Sequence, residues 1–375
     1  MRLCHIVPSL EEKHGGPSKS VHRLAAALSQ LGHDVDLLAT QPRGLSSAMD
    51  DGRLHIRQFR RGFPAFLCAS AGLRDHLRRQ AYDCLHHHAL WLRPLHYAGE
   101  AARATGAPLV IAPRGMLSDW AWQHRHWKKR LAARYVHPGA FAGAGGWHAT
   151  SPAEADDIRR RGFSQPICVA PNGVQAPTAE DLAQAHEVWS QLCPAVAARP
   201  VALFYSRFHR KKRLLELIDL WLDTAPRDWL LLVAGIPQEY TVASLSAYVE
   251  RHSGQGRIAV FDGSDRPPPY GVASLFLLPS HTENFGLVVA EAMAWGVPVL
   301  VTDTMPWADV PLQNAGWCVS WEDYREALRR ALSESPDRLE QRGARARDWV
   351  LARYSWDHAA RPLVEFYRRL TGSSA

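Results

Sequence analysis

The stretch from Pro279 to Asp303, PSHTENFGLVVAEAMAWGVPVLVTD, leaves the chain few ways to fold. A short apolar run, Leu275 to Leu278, reads as a buried strand that opens into a polar loop carrying Glu283. A helix is expected from near Phe285-Gly286, with Glu291 in its second turn. Gly296 stops that helix, Pro298 follows, and Val299 to Val301 read as the next buried strand. Backbone N–H groups of Asn284, Phe285, Gly286 and Leu287 then lie at a helix N-terminus, where an anion binds readily. One carboxylate precedes that terminus and a second follows eight residues later. Such a pair suits a ligand that joins phosphates to polyols, because carboxylates accept paired hydrogen bonds from vicinal hydroxyls. Taken alone, the spacing also describes a capped helix with two solvated glutamates.

The same strand–helix–strand unit recurs along the chain. Leu3 to Val7 reads as a strand, followed by a loop with Gly15-Gly16, a helix over about Ser18 to Leu31, and a strand over Val35 to Ala39. Leu109 to Ala112, Trp147 to Thr150 and Ile167 to Ala170 are further strands. Ser151 opens a helix, with Glu154 as its capping-box partner and Gly162 at its end. A second series runs through the strand Val201 to Tyr205, the basic loop SRFHRKKR, a helix over Leu214 to Leu222, and strands ending at Gly235 and Gly263. Repeated β-α-β units imply parallel sheets, whose ligands collect at the carboxyl ends of the strands. At 375 residues the chain exceeds one ordinary core, so two domains are expected.

Composition excludes more than it assigns. Apolar content of 46% and charged content of 22% are those of a globular protein. No apolar run approaches the roughly 20 residues that a spanning helix needs. MRLCHIVPSL turns polar too soon for a signal peptide, and the six cysteines are scattered, as expected of reduced thiols in the cytoplasm. A net charge of +7 is compatible with nucleic acid, a nucleotide-sugar or an anionic membrane face. No zinc-finger spacing, RNP pattern or GXXG loop supports nucleic acid. The basic residues include Arg53, Arg57, Arg60 and Arg61. They continue through SDWAWQHRHWKKRLAARY, where Trp120, Trp122 and Trp127 alternate with Arg125, Lys128, Lys129, Arg130 and Arg134. Such alternation fits a packed, solvated helix or the interfacial zone of an anionic bilayer. His86, His87 and His88 invite a metal reading, but successive strand residues face opposite ways and cannot converge on one ion.

ENFG, AEAMAWGVPV and VTD together resemble the Glu-x7-Glu signature of retaining glycosyltransferases of the GT-B fold, in particular glycosyltransferase family 4. The resemblance implies an α/β architecture of two Rossmann-like, doubly wound parallel-sheet domains facing across a cleft. PNGV closes the first domain, giving 1–174, a connection at 175–200, a donor domain at 201–355, and a helix over 356–370 that packs back on the first domain. Glu283 is then expected to face the donor sugar and Glu291 to hold the ribose hydroxyls. Arg207 and Lys212 match the family's Arg-x4-Lys on the donor diphosphate, although Arg213 stands where a glycine is usual. Gly15 and Gly16 match a Gly-Gly near that diphosphate. His88 matches the histidine of an H-G-L-W loop beside the donor sugar, with Ala89 replacing the glycine. Gly263 and Ser264 should border the base, and Pro267-Pro268-Pro269 and Ser274 depart from the family pattern there. Arg114 and Gly115 of PRGML are candidates for the acceptor side.

The implied reaction moves a sugar from a UDP- or GDP-type donor to a saccharide or lipid-linked saccharide, in surface polysaccharide assembly and with docking on the membrane. Basic residues stand where a metal would, so no metal or other cofactor is expected. The alternatives are a GT-B hydrolase or epimerase of nucleotide-sugars, and a non-catalytic basic protein that binds nucleic acid or a partner subunit.

Overall fold

The computed structural model describes residues 1–11, 16–42, 47–123 and 126–372. The chain builds two compact units, Met1–Gly173 with the segment from Trp356 onward, and Val174–Ser355.

The first unit holds strands β1 (Arg2–Val7), β2 (Asp34–Gln41), β3 (Ser47–Asp51), β4 (Leu54–Arg60), β5 (Cys84–His88), β6 (Leu109–Ala112), β7 (Gly146–Ala149) and β8 (Ile167–Val169). Its helices are α1 (Gly16–Gln30), α2 (Ala71–Arg79), α3 (Arg93–Thr105), α4 (Asp119–Gln123), α5 (His126–Leu131) and α6 (Pro152–Arg160). The sheet order is β3-β4-β2-β1-β5-β6-β7-β8, parallel except for β3 on β4. Both faces are covered, which is why the central strands are buried along their length. On β1, Leu3 and Val7 face the core beneath α1, whereas Cys4 and Ile6 face the core beneath α2 and α3. His5 therefore points to the α1 side, by strand alternation.

The second unit holds α7 (Ala179–Leu192), β9 (Val201–Tyr205), α8 (Leu214–Thr224), β10 (Leu230–Gly235), α9 (Val242–Arg251), β11 (Ile258–Asp262), β12 (Leu275–Leu278), α10 (Leu287–Ala294), β13 (Val299–Thr302), β14 (Gly316–Val319), α11 (Tyr324–Leu332) and α12 (Pro336–Tyr354). Its sheet is wholly parallel, in the order β11-β10-β9-β12-β13-β14. The order reverses between β9 and β12, as it does between β1 and β5 in the first sheet. Those reversals are where open α/β sheets bind ligands. The last helix, α13 (Trp356–Thr371), returns to the first unit. Leu363, Phe366 and Tyr367 join the α1-side core, and a side chain on Gly146 or Gly173 would collide with Phe366 or Trp356. No helix among the described residues is long and apolar enough to cross a membrane.

Several elements differ from the sequence expectations. The stretch 175–200, read as a connection, belongs to the second unit. Its α7 buries Trp189 completely, and the Trp189 Nε1 donates to Pro267 O at 2.8 Å. The basic run after Ser118 is helical over α4 and α5 and continues into a π-turn over Ala132–Val136, and Arg125 lies outside the described residues. Ser151 Oγ caps α6, but Glu154 does not return to it. Its carboxylate instead accepts from Gly115 N at 2.6 Å and Thr150 N at 2.7 Å. The β3–β4 hairpin had no sequence signal, since SAMDD is too polar to read as a strand.

Candidate functional site

At the reversal of the second sheet, the loop after β9 is fixed before it presents any charge. Phe208 is fully buried, and its N–H donates to Ile236 O at 2.9 Å. His209 caps the following 3-10 turn by accepting from Lys211 N at 3.0 Å. Arg213 then takes the left-handed φ of 51°, the backbone state a glycine would supply, and its guanidinium lies over the Trp321 ring at 4.6 Å. That geometry turns Lys212 inward, where it is 6% exposed and its Nζ donates to Glu283 Oε1. Burial pushes the Glu283 carboxyl up, but Lys212 and Lys211 outweigh it and hold the group below the ordinary carboxylate value. Burial likewise lowers the Lys211 ammonium. Lys211 was not singled out from sequence; the signal was the doubled lysine facing a single buried glutamate. Arg207 is exposed and makes no hydrogen bond or ion pair with a described residue.

The α10 N-terminus follows directly. Gly286 has φ +75°, and the helix begins at Leu287. Asn284, Gly286 and Leu287 are half-buried, while Phe285 is packed against Trp307 and Tyr354, so only its backbone can serve a ligand. Trp307 Nε1 donates to Phe285 O at 2.7 Å and so fixes the turn. Glu291 lies on α10, half-buried, and Oε2 accepts from the buried Tyr270 hydroxyl at 3.1 Å. Tyr270 is a second residue that the sequence reading missed, although it ends the aberrant PPPY run. Gly263 and Ser264 follow β11, two strands from the reversal. Gly263 N donates to Gly235 O at 2.8 Å, and a Cβ at Gly263 would lie 2.9 Å from Gly235 N.

At the reversal of the first sheet stands a row of imidazoles. His86 and His88 on β5 share the face of His5 on β1 and His148 on β7, while His87 points to the other side and bonds Ala89 O at 3.0 Å. The bonds have one consistent direction. Tyr367 OH donates to His86 Nδ1 at 2.6 Å, His86 Nε2 to His148 Nδ1 at 3.3 Å, and His148 Nε2 to Ala170 O at 2.8 Å. Arg114 Nη2 donates to His88 Nδ1 at 3.0 Å, and His88 Nε2 to His5 Nδ1 at 3.0 Å. Burial keeps His5 and His148 neutral down to about pH 3 and depresses His86 and His88 as well.

His88 is thus fully buried with both ring nitrogens engaged, and it offers no edge to a donor sugar in this conformation. Ring nitrogens of His5, His86 and His88 lie within 4.8 Å of one another, close enough to suggest a metal. The donor set does not fit one. A metal on His88 Nε2 would leave an Nδ1–H facing the Arg114 guanidinium, donor against donor and cation against cation. Strand alternation turns His87 away, as expected, but His86 and His88, two residues apart, share a face. His5 was missed because it reads as one more strand residue.

Arg114 and Gly115 have φ of 55° and 78°. Arg114 Nη1 also donates to Asn172 Oδ1 at 2.6 Å. Gly16 opens α1, and Gly15 lies outside the described residues.

Residues 15–173 match the family model for the glycosyl transferase 4-like domain, and residues 194–349 that for glycosyl transferases group 1. Among curated proteins, an alpha-maltose-1-phosphate synthase of Mycolicibacterium smegmatis is 28% identical over 188 residues, 46% of this chain and 49% of that protein. The chain therefore spans about half the length of that relative. A GDP-mannose:cellobiosyl-diphosphopolyprenol alpha-mannosyltransferase of Komagataeibacter xylinus is 25% identical over 99% of this chain and 94% of its own. Among solved structures, a sucrose-phosphate synthase from Thermosynechococcus elongatus superposes with a TM-score of 0.78 at 19% identity, covering 100% of both chains.

Proposed function

We propose a sugar transfer for this chain, which belongs to the group 1 glycosyltransferases of the GT-B fold. The donor is a nucleoside diphosphate sugar, the acceptor a saccharide or lipid-linked saccharide, and the anomeric configuration is retained. The observation that carries this reading is the buried Lys212–Glu283 pair with Lys211 beside it, at the reversal of a parallel sheet and one turn from a helix N-terminus. The chemistry asks the protein mainly to stabilise a departing diphosphate. Arg207, Lys212 and the free N–H groups at Leu287 and Val288 supply that potential without a metal. Glu283, held anionic by two lysines, orients the sugar, and Glu291, with one oxygen tied to Tyr270, accepts from the ribose hydroxyls. The leaving phosphate acts as base on the same face, so no carboxylate is required as nucleophile.

Surface polysaccharide assembly is supported by the near full-length similarity to a mannosyltransferase named for a polyprenol-linked acceptor. Exposed Trp120, Trp127, Leu131 and Tyr135, among Lys128, Arg130 and Arg134, support docking on an anionic membrane face. The test is calorimetric binding of UDP, GDP, ADP and their sugars without added metal. One diphosphate should bind, and Lys212→Ala and Glu291→Ala should each weaken it at least tenfold. If none binds at millimolar concentration, the donor reading fails.

A further inference from the structure

The Arg114 guanidinium is a cation to which no described carboxylate bonds directly. Among the described residues it makes no ion pair, and its partners are one amide oxygen and one neutral imidazole. Glu154, the carboxylate that acts on it, is held by the backbone N–H groups of Gly115 and Thr150. Burial lowers the guanidinium to about 10, and the nearby Glu154 carboxylate offsets that desolvation only in part. Cations in such surroundings are ordinarily bonded to an anion, which replaces the hydration they lose.

A guanidinium has five N–H donors, and two of them are used here. The Nε–H is buried without a partner, and so is His5 Nε2 at the end of the chain of bonds that starts on Arg114. Arg114, Gly115 and Met116 are nevertheless half-buried, so the loop keeps a side open to solvent. The backbone there is costly too. Ala89, Trp91 and Arg114 all have φ between 55° and 75°, a left-handed state that strains a non-glycine residue. Strain held in this way marks ligand clamps. The loop also follows β6, next to the β1–β5 reversal, on the ligand edge of the sheet.

We propose that Arg114, backed by His88, His5 and Asn172, binds a phosphate group of the acceptor, so that the acceptor is a phosphorylated or diphosphate-linked sugar. The word acceptor rests on the sugar-transfer reading; the anion site does not. A phosphate oxyanion can take the unused guanidinium donors as a bidentate pair, which a neutral hydroxyl cannot.

The test uses inorganic phosphate on the full chain, with UDP and GDP as separate ligands, read by the side-chain nitrogen resonances of the histidines and by Tm. Phosphate should shift the His88 Nδ1 resonance saturably, through the Arg114 bond, in Lys212→Ala as well as in the natural chain. Arg114→Gln should weaken phosphate at least tenfold while leaving nucleotide binding within twofold, which also shows that the variant folds. Should Arg114→Gln not fold, Arg114→Lys keeps the charge but loses the fork, and should weaken phosphate severalfold. A His88 resonance that does not move with phosphate overturns the site. Loss of the phosphate response at saturating nucleotide overturns the assignment to the acceptor, since the anion would then be the donor's. Absence of nucleotide binding in every sample sinks the donor reading and leaves the phosphate result standing.

Discussion

Ala89 is 5% exposed and adopts φ +75°, so the chain carries a methyl group where the backbone suits glycine. The left-handed state costs an L-residue about 1 to 2 kcal/mol, and glycine returns about half of that through its freer unfolded chain. Ala89→Gly should therefore stabilise the protein by about 0.5 to 1 kcal/mol in urea melts, against the usual sign of a buried Ala→Gly change. A loss of stability would show that the methyl contributes more than the strain removes. Lys212 and Glu283 make the opposite case, because each is mostly hidden and each needs the other. Glu283→Gln leaves two lysines facing no carboxylate, whereas Lys212→Met leaves Glu283 with Lys211. Removing one partner of a buried pair costs about 3 to 5 kcal/mol, so Glu283→Gln should be the more damaging of the two in denaturant melts. The Glu283 carboxyl titrates below its unfolded value, so the pair's contribution is full above about pH 4.3 and fades as pH falls through the lower, folded value. Equal losses in both variants would remove Lys211 from the account.

The helix α10 and its flanks were legible because each boundary had a chemical reason. Gly286 and Gly296 both have positive φ, and β12 and β13 are continuous apolar runs. The elements that escaped notice lacked such signals. β3 has a polar sequence, and β14 begins with a glycine and is only partly buried; α7 reads as one modest helix, but the burial of its tryptophan in the second unit does not show in its sequence. Tertiary contact, not local pattern, made them. The crossing of α12 over the end of α10 is of the same kind. Gly343 lies mid-helix, where alanine would ordinarily gain about 1 kcal/mol. Yet a Cβ there would come within 1.8 Å of Gly296 O. The backbone cannot yield as a side chain would, so the clash wins. Gly343→Ala should cost about 2 to 4 kcal/mol in thermal melts; a stabilised variant would mean that α12 slides freely on that turn.

At the scale of the whole molecule, the two units differ in one property that sequence alone did not disclose. Among the described residues every buried histidine lies in the first unit: His5, His33, His86, His87, His88, His137 and His148. Nineteen histidines are visible in the chain, but which of them are hidden follows from strand faces and from the return of α13 over them. Burial lowers all seven, His5, His87 and His148 to about 3 and His137 to about 4. Arg114 beside the cluster adds to the shift of His5, His86, His88 and His148, and among the described residues no carboxylate bonds to any of those rings. A base whose folded pKa is depressed takes up its proton first in the unfolded chain. Its stability is therefore complete above the unfolded value near 6.5 and is lost as pH falls from there toward the folded value. Each fully buried imidazole weakens folding by about 1 kcal/mol per pH unit in that window. Five of them, at pH 5.5, remove an amount comparable with the whole stability of an ordinary domain. The first unit should then open between about pH 6.5 and 5 while the second, with no buried histidine among its described residues, holds. Hydrogen exchange, corrected for intrinsic rate, reads this directly: amides of β1 and β5 should lose protection before those of β9 and β12. Parallel loss in both sheets, or full protection of β1 at pH 5, would mean that the imidazole row reaches water or a counter-ion before the fold gives way.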